Sequence, residues 1–107
     1  MKIEILYFDG CPNHLPAVAL VRNMLQEMNL PDHLIEVNIT DPASAKSMRF
    51  LGSPTLLIDG LDVEPSARES DLFGFGCRTY LSEGRRSGIP TKDLVQTAIR
   101  EALSPAR

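Results

Sequence analysis

Between Lys2 and Ile39 the hydrophobic period changes twice, and this change restricts the fold more than any other feature of the chain. Lys2 to Phe8 is short, rich in β-branched and aromatic residues, and closed by Asp9-Gly10, which predicts a buried first strand. Val18, Val21, Leu25 and Met28 then recur at spacings of three and four, with Arg22, Gln26 and Glu27 elsewhere, so an amphipathic helix is expected, stopped by Pro31. Leu34 to Ile39 alternates as a second strand. A strand, helix, strand run of this length suits a right-handed parallel crossover, and the expected class is α/β.

The remainder extends that unit. Asp41 is placed to cap a short helix with Pro42 at its first position and Gly52 at its end. Thr55 to Ile58 reads as a third strand running into Asp59-Gly60, a two-residue hairpin signal, with Leu61 to Glu64 returning antiparallel. Leu94, Val95, Ala98, Ile99, Ala102 and Leu103 predict a final amphipathic helix capped by Thr91. No repeat or linker divides the chain, and its 107 residues suffice for one hydrophobic core, so residues 1–107 are expected to form a single domain.

Charge and apolar patterning narrow the partners. With 11 Lys and Arg against 14 Asp and Glu, the net charge of -3 offers no general attraction to nucleic acid or anionic lipid. No apolar stretch approaches bilayer length, and the first residues lack the apolar run of a signal peptide, so a cytoplasmic protein without membrane contact is expected. In that compartment the two cysteines read as thiols, metal ligands or a redox pair before they read as a structural staple.

Cys11 sits where the first strand turns toward the helix. Its sulfur is expected near unpaired helix N-terminal amides, which favour the thiolate, and Pro12 suits the first helical turn. His14, three residues on, would add a positive charge or a hydrogen bond, whereas Asp9 would act in the opposite direction. Pro16 also falls in the first turn.

The element order, with a cysteine after the first strand and Ser53-Pro54 opening the third, resembles the thioredoxin-like superfamily over nearly the whole chain. Within it, the stretches YFDGCPNH, FLGSPTLLIDGLDVEP and CRTY are similar to small bacterial thioredoxin-like proteins labelled as related to alkylmercury lyase. The resemblance implies a four-stranded mixed sheet of order 4-3-1-2 with flanking helices, strand 3 being antiparallel. It also implies a cis Pro54 facing Cys11, with the backbone of Ser53 left free to pair with an extended substrate. Cys11-Pro12-Asn13-His14 departs from the dithiol pattern, since His14 stands where such an oxidoreductase has its second cysteine.

Cys77 has two readings in that frame. If strand 4 is Leu61 to Glu64, the loop from Ser66 to Gly76 folds across the site as a lid anchored by Phe73 and Phe75, and Cys77 follows within reach of Cys11. If Cys77-Arg78-Thr79-Tyr80-Leu81 is itself strand 4, Cys77 is a buried small hydrophobe. Arg78 near the thiols would stabilise a thiolate or bind an anionic ligand; otherwise it is a solvated surface residue. His33 is expected in an exposed turn. Asp59, Asp62 and Glu64 read as turn chemistry and a solvated strand face, and Met24, Met28 and Met48 as core.

Three functions follow. The first is thiol–disulfide oxidoreductase chemistry at Cys11 with a small thiol or disulfide, Pro54 shaping the groove and Cys77 resolving the mixed disulfide. The second is soft-metal or organomercury binding, with Cys11 and Cys77 as thiolate ligands and mercury as the ion. Carbon–mercury cleavage would also need a proton donor, and Asp9 is the only acid near Cys11 in sequence, which argues against lyase activity. The third is a non-catalytic module or homodimer with no cofactor and two inert cysteines. A bridge between the cysteines requires their Cα atoms within about 7 Å.

Overall fold

A computed structural model describes residues 1–104. Ile3, Ile5, Leu6 and Tyr7, with Glu4 among them, form β1 (Ile3–Tyr7), and a turn leads into α1 (His14–Glu27). β2 (Leu34–Asn38) returns parallel to β1, with Ile3 opposite Leu34 and Tyr7 opposite Asn38. The short α2 (Pro42–Ser47) precedes β3 (Thr55–Ile58), which pairs antiparallel with β1, and Asp59-Gly60 turns it into β4 (Leu61–Asp62). Asp59 and Gly60 both have positive φ, 51° and 79°, as a tight two-residue hairpin requires. After a long connection come β5 (Tyr80–Ser82), β6 (Arg85–Ser87) and α3 (Lys92–Leu103).

The four-stranded mixed sheet has the order β2-β1-β3-β4, which is the expected 4-3-1-2 read from the other edge. Period-two alternation sends its strands' side chains to opposite faces. Ile3, Ile5, Leu56 and Ile58 pack under α1 and α3 with Val21, Leu25, Val95 and Ile99. Leu6 and Leu57 face the other way, against Ile39, Ala45 and Phe50. Met24 is buried and Met28 and Met48 pack against these two cores, as their helical spacing predicts.

Two helix ends differ from expectation. Helix α1 is closed by Asn29 (φ 55°) rather than by Pro31: Asn29 N–H donates to Gln26 O and Leu30 N–H to Leu25 O, which satisfies the last carbonyls. Helix α2 ends the same way at Arg49 (φ 57°), with Phe50 N–H donating to Ala45 O at 2.8 Å, so Gly52 is not its terminator. Both expected N-caps form. Asp41 accepts from Ser44 N–H at 2.8 Å, and this backbone bond together with the Ser44 hydroxyl holds its carboxyl below the ordinary value. The contribution is therefore present at neutral pH and lost as acid protonates the group. Thr91 accepts from Leu94 N–H at 3.2 Å.

Neither β4 nor the hairpin beyond it matches its sequence reading in full. Strand β4 is Leu61–Asp62, two residues shorter than expected, and the Cys77–Leu81 alternative for strand 4 is corrected. Tyr80–Ser82 belongs instead to a separate two-stranded ribbon with Arg85–Ser87, turned by Glu83-Gly84 at φ 52° and 76°. Gly88, just beyond that ribbon, packs so closely on Asn13 that a Cβ there would strike the Asn13 amide. This contact ties the ribbon's exit to the start of α1.

Candidate functional site

The register of β1 against β3 decides which residues share one end of the sheet. Leu6 lies opposite Thr55, so the chain leaving β1 and the chain entering β3 emerge side by side. Phe8 N–H reaches Ser53 Oγ at 3.4 Å, and Phe8 O accepts from Cys11 N–H at 3.3 Å in a turn that uses Gly10 at φ 85°. The peptide bond between Ser53 and Pro54 is cis. Cys11, half-buried, and the buried Ser53-Pro54 thus belong to the same end of the sheet, and both cysteines are free thiols.

Cys11 does not stand on the helix terminus. Helix α1 starts at His14, with Asn13 as its cap and no side-chain cap hydrogen bond, and Cys11 O accepts from His14 N–H at 3.3 Å. Pro12 accordingly precedes the helix, and Pro16 occupies its first turn, where a missing N–H breaks no helical bond. Cys11 thus lies two residues ahead of the cap, in the turn that leads into α1.

His14 is likewise turned to another partner. Its ring stacks on Tyr7 at a centroid distance of 3.6 Å, and its Nε2–H donates to Glu36 Oε1 at 2.7 Å on the edge strand β2. It fastens the start of α1 to the sheet, and the imidazole makes its hydrogen bond to Glu36 rather than to the Cys11 thiol. Asp9 accepts from Asn38 Nδ2 at 3.1 Å. His33 is exposed, as expected.

The loop from Ser66 to Gly76 crosses to this end, and its aromatic anchors are those expected. Phe75 packs against Phe50 at 5.9 Å and Phe8 at 6.5 Å between ring centroids, while the Arg49 guanidinium lies 5.2 Å over Phe73. Arg49 also donates to Arg68 O and Ser70 O at 2.9 and 3.0 Å, and Gly74 N–H donates to Phe50 O at 3.0 Å. The chain then runs alongside Ser53 as a one-residue parallel bridge, Ser53 opposite Cys77. Ser53 N–H donates to Gly76 O at 3.0 Å, and Arg78 N–H donates to Ser53 O at 3.1 Å.

That bridge overturns one expectation: the backbone of Ser53 is not free for a substrate, because both its polar groups are already paired. It also explains Gly52. At φ 112°, a Cβ on residue 52 would lie 2.7 Å from Gly76 O, so only glycine lets the crossing chain approach. Gly52→Ala is expected to cost roughly 1–3 kcal/mol in urea unfolding, clearly more than Gly10→Ala. Gly10 also has positive φ but has open space around it. Equal losses would mean that the close approach is not a constraint.

Arg78 is neither exposed nor directed at the thiols. It is 5% exposed and makes a two-pronged ion pair with Asp62, itself 5% exposed, with Nη2 to Oδ1 at 2.8 Å. Glu64 lies at 3.5 Å and the Tyr80 ring 4.2 Å beneath the guanidinium. Burial alone would lower its pKa; the Asp62 hydrogen bond and the surrounding charges outweigh this and raise it. Its assignment to substrate binding is therefore replaced by a structural role. The same contacts correct Asp62 and Glu64, which are not a solvated strand face.

Sequence reasoning missed Tyr80. Its hydroxyl donates to Pro54 O at 2.6 Å and accepts from Leu56 N–H at 3.2 Å. Strand β4 stops before it can pair with these groups, and the phenol takes its place. Burial pushes the Tyr80 pKa well above the ordinary value, so the donor proton stays in place at neutral pH. The only local signal is a tyrosine alternating with Arg78 two residues away, which says nothing about Pro54.

The thiol of Cys77 is exposed and opens on a shallow groove with Leu51, Glu64, Ser70, Leu72 and Arg86, whose lining does not include Cys11. Among the described residues, no three of His, Cys, Asp and Glu converge as a metal site, and no helix is long and apolar enough to cross a membrane. No family model, curated protein or solved structure matches this chain.

Proposed function

We propose that this is a thioredoxin-like protein whose Cys11 thiol carries out thiol–disulfide exchange as a single nucleophile. The observation that supports this reading most is the meeting, at one end of a β2-β1-β3-β4 sheet with helices on both faces, of a half-buried free cysteine after β1 and a cis Ser53-Pro54 before β3. Cys11 loses its proton, and the thiolate attacks one sulfur of a disulfide. A new S–S bond forms to Cys11 while the other sulfur leaves as a thiolate and is protonated. A second, external thiol then attacks the mixed disulfide and returns Cys11 to its thiol. No step uses His14, Arg78 or Cys77.

The test is the rate at which the folded protein reacts with an activated pyridyl disulfide, with adducts mapped by peptide mass spectrometry. Cys11 is expected to be modified at least about tenfold faster than in the urea-unfolded chain at the same pH. Cys11→Ser should remove the fast phase, leaving that of Cys77. A Cys11 rate at or below that of the unfolded chain would refute the reading and leave a non-catalytic domain.

A further inference from the structure

Three observations meet at Ser53. Both its backbone polar groups bond to the chain segment 76–78, in the pattern of a parallel strand pair. The residues just before that segment are held from the other side: Gly74 N–H by Phe50 O, and the Phe75 ring by Phe50 and by Phe8, whose carbonyl accepts from Cys11 N–H. Beyond it, Arg78 is locked into the buried Asp62 pair, and Gly52 supplies the backbone clearance that the crossing needs. The segment from Phe73 to Arg78 is thus a strap secured at both ends, lying where an added strand would dock.

We infer that this strap sets the substrate class of the Cys11 site: it fills the strand-docking position at Ser53, so the site takes compact, low-molecular-weight disulfides and rejects extended polypeptides. The inference rests on the thiol-exchange reading above. An extended peptide gains affinity at a sheet edge through main-chain hydrogen bonds, and those bonds are available at Ser53 only if Gly76 and Arg78 let go. A small disulfide needs only the sulfur of Cys11, which is half-buried and takes part in none of the strap's hydrogen bonds. Phe75 is the most accessible fastening. It is 40% exposed and contributes no buried polar group, so its removal loosens the strap without breaking the Arg78–Asp62 pair.

The experiment compares two pyridyl disulfides with the same leaving group on the wild-type chain, one built on N-acetylcysteamine and one on the central cysteine of an extended peptide. Adducts are assigned to Cys11 by mass spectrometry, and each rate is divided by that for free glutathione with the same reagent. The normalised peptide rate should fall below the small-molecule rate by about tenfold or more, the equivalent of two net backbone hydrogen bonds. In Phe75→Ala this ratio should move several-fold toward one, together with faster amide exchange at Ser53 and Arg78. If the wild type reacts rapidly and equally with both reagents, the strap is overturned while the reactive Cys11 stands. If neither reagent reacts faster than with the unfolded chain, the thiol reading fails and the inference with it. A slow peptide whose ratio stays fixed in Phe75→Ala, with exchange at both amides accelerated, also overturns the strap as the cause.

Discussion

Asp62→Ala should destabilise the fold by about 3–5 kcal/mol, because it leaves the Arg78 guanidinium buried without its bidentate partner. Glu64, at 3.5 Å, compensates only in part, and it is already used by Leu81 N–H at 2.8 Å. The loss arises from an orphaned buried charge rather than from the pair's own attraction. A double variant, Asp62→Leu with Arg78→Met, should therefore recover most of the stability that Asp62→Ala loses. Urea unfolding of the three variants checks this. A loss below about 1 kcal/mol for Asp62→Ala would place the pair among exposed surface bridges and remove Arg78 as an anchor of the strap.

The second large effect is expected at Tyr80. Tyr80→Phe keeps the ring, its packing in the core and its contact with Arg78, and removes only the oxygen that joins Pro54 O and Leu56 N–H. Two backbone groups lose their partner at a site the ring still covers, at a cost of roughly 1–3 kcal/mol for each group left unsatisfied. Amide exchange separates this from a general loss of packing. Leu56 should lose protection beyond the global change, while Ile5 and Leu6 on β1 follow the global stability. If Tyr80→Phe unfolds within about 0.5 kcal/mol of the parent, water or the nearby backbone has taken over both bonds. Because burial keeps the phenol protonated, no pH dependence of this clamp is expected in the neutral range.

Both predictions concern residues between 62 and 80 whose importance is invisible locally. Asp62 follows a hairpin turn in a polar context and reads as solvated. It is buried because Arg78, 16 residues later, returns to it over the edge left by a two-residue β4. Charge pairing across such a separation leaves no periodic trace, and a lone Arg in a loop has the same local signature exposed or buried. The Glu83-Gly84 ribbon was missed for a related reason. Its strands have three residues each, too short for alternation to register, and Arg85, Arg86 and Ser87 carry no apolar face.

Legibility at the site divides along the same line. Cys11 and Ser53-Pro54 are marked by their position at element boundaries, which local turn chemistry specifies, and the register of β1 with β3 brings them to one end of the sheet. The roles expected of His14 and Arg78 depended on direction rather than position. Each found a better partner elsewhere: Glu36 and Tyr7 for the imidazole, Asp62 for the guanidinium. A side chain's orientation follows the strongest available contact in three dimensions, which spacing along the chain does not encode.

By itself, the sequence determined the elements whose physics is local. These are the buried run of β1, the amphipathic stripes of α1 and α3, the Asp41 and Thr91 caps, the Asp59-Gly60 turn and, through the strand–helix–strand period, the parallel pairing of β1 with β2. Only the tertiary structure decided what surrounds Cys11. The closing of Ser53 by Gly76 and Arg78, the Tyr80 clamp on Pro54 and the burial of Asp62 with Arg78 arise from hydrogen bonds and charge between residues 16 to 26 positions apart and their neighbours. Such contacts form only once packing has excluded water from the groups that make them, and no local propensity favours one partner over another beforehand.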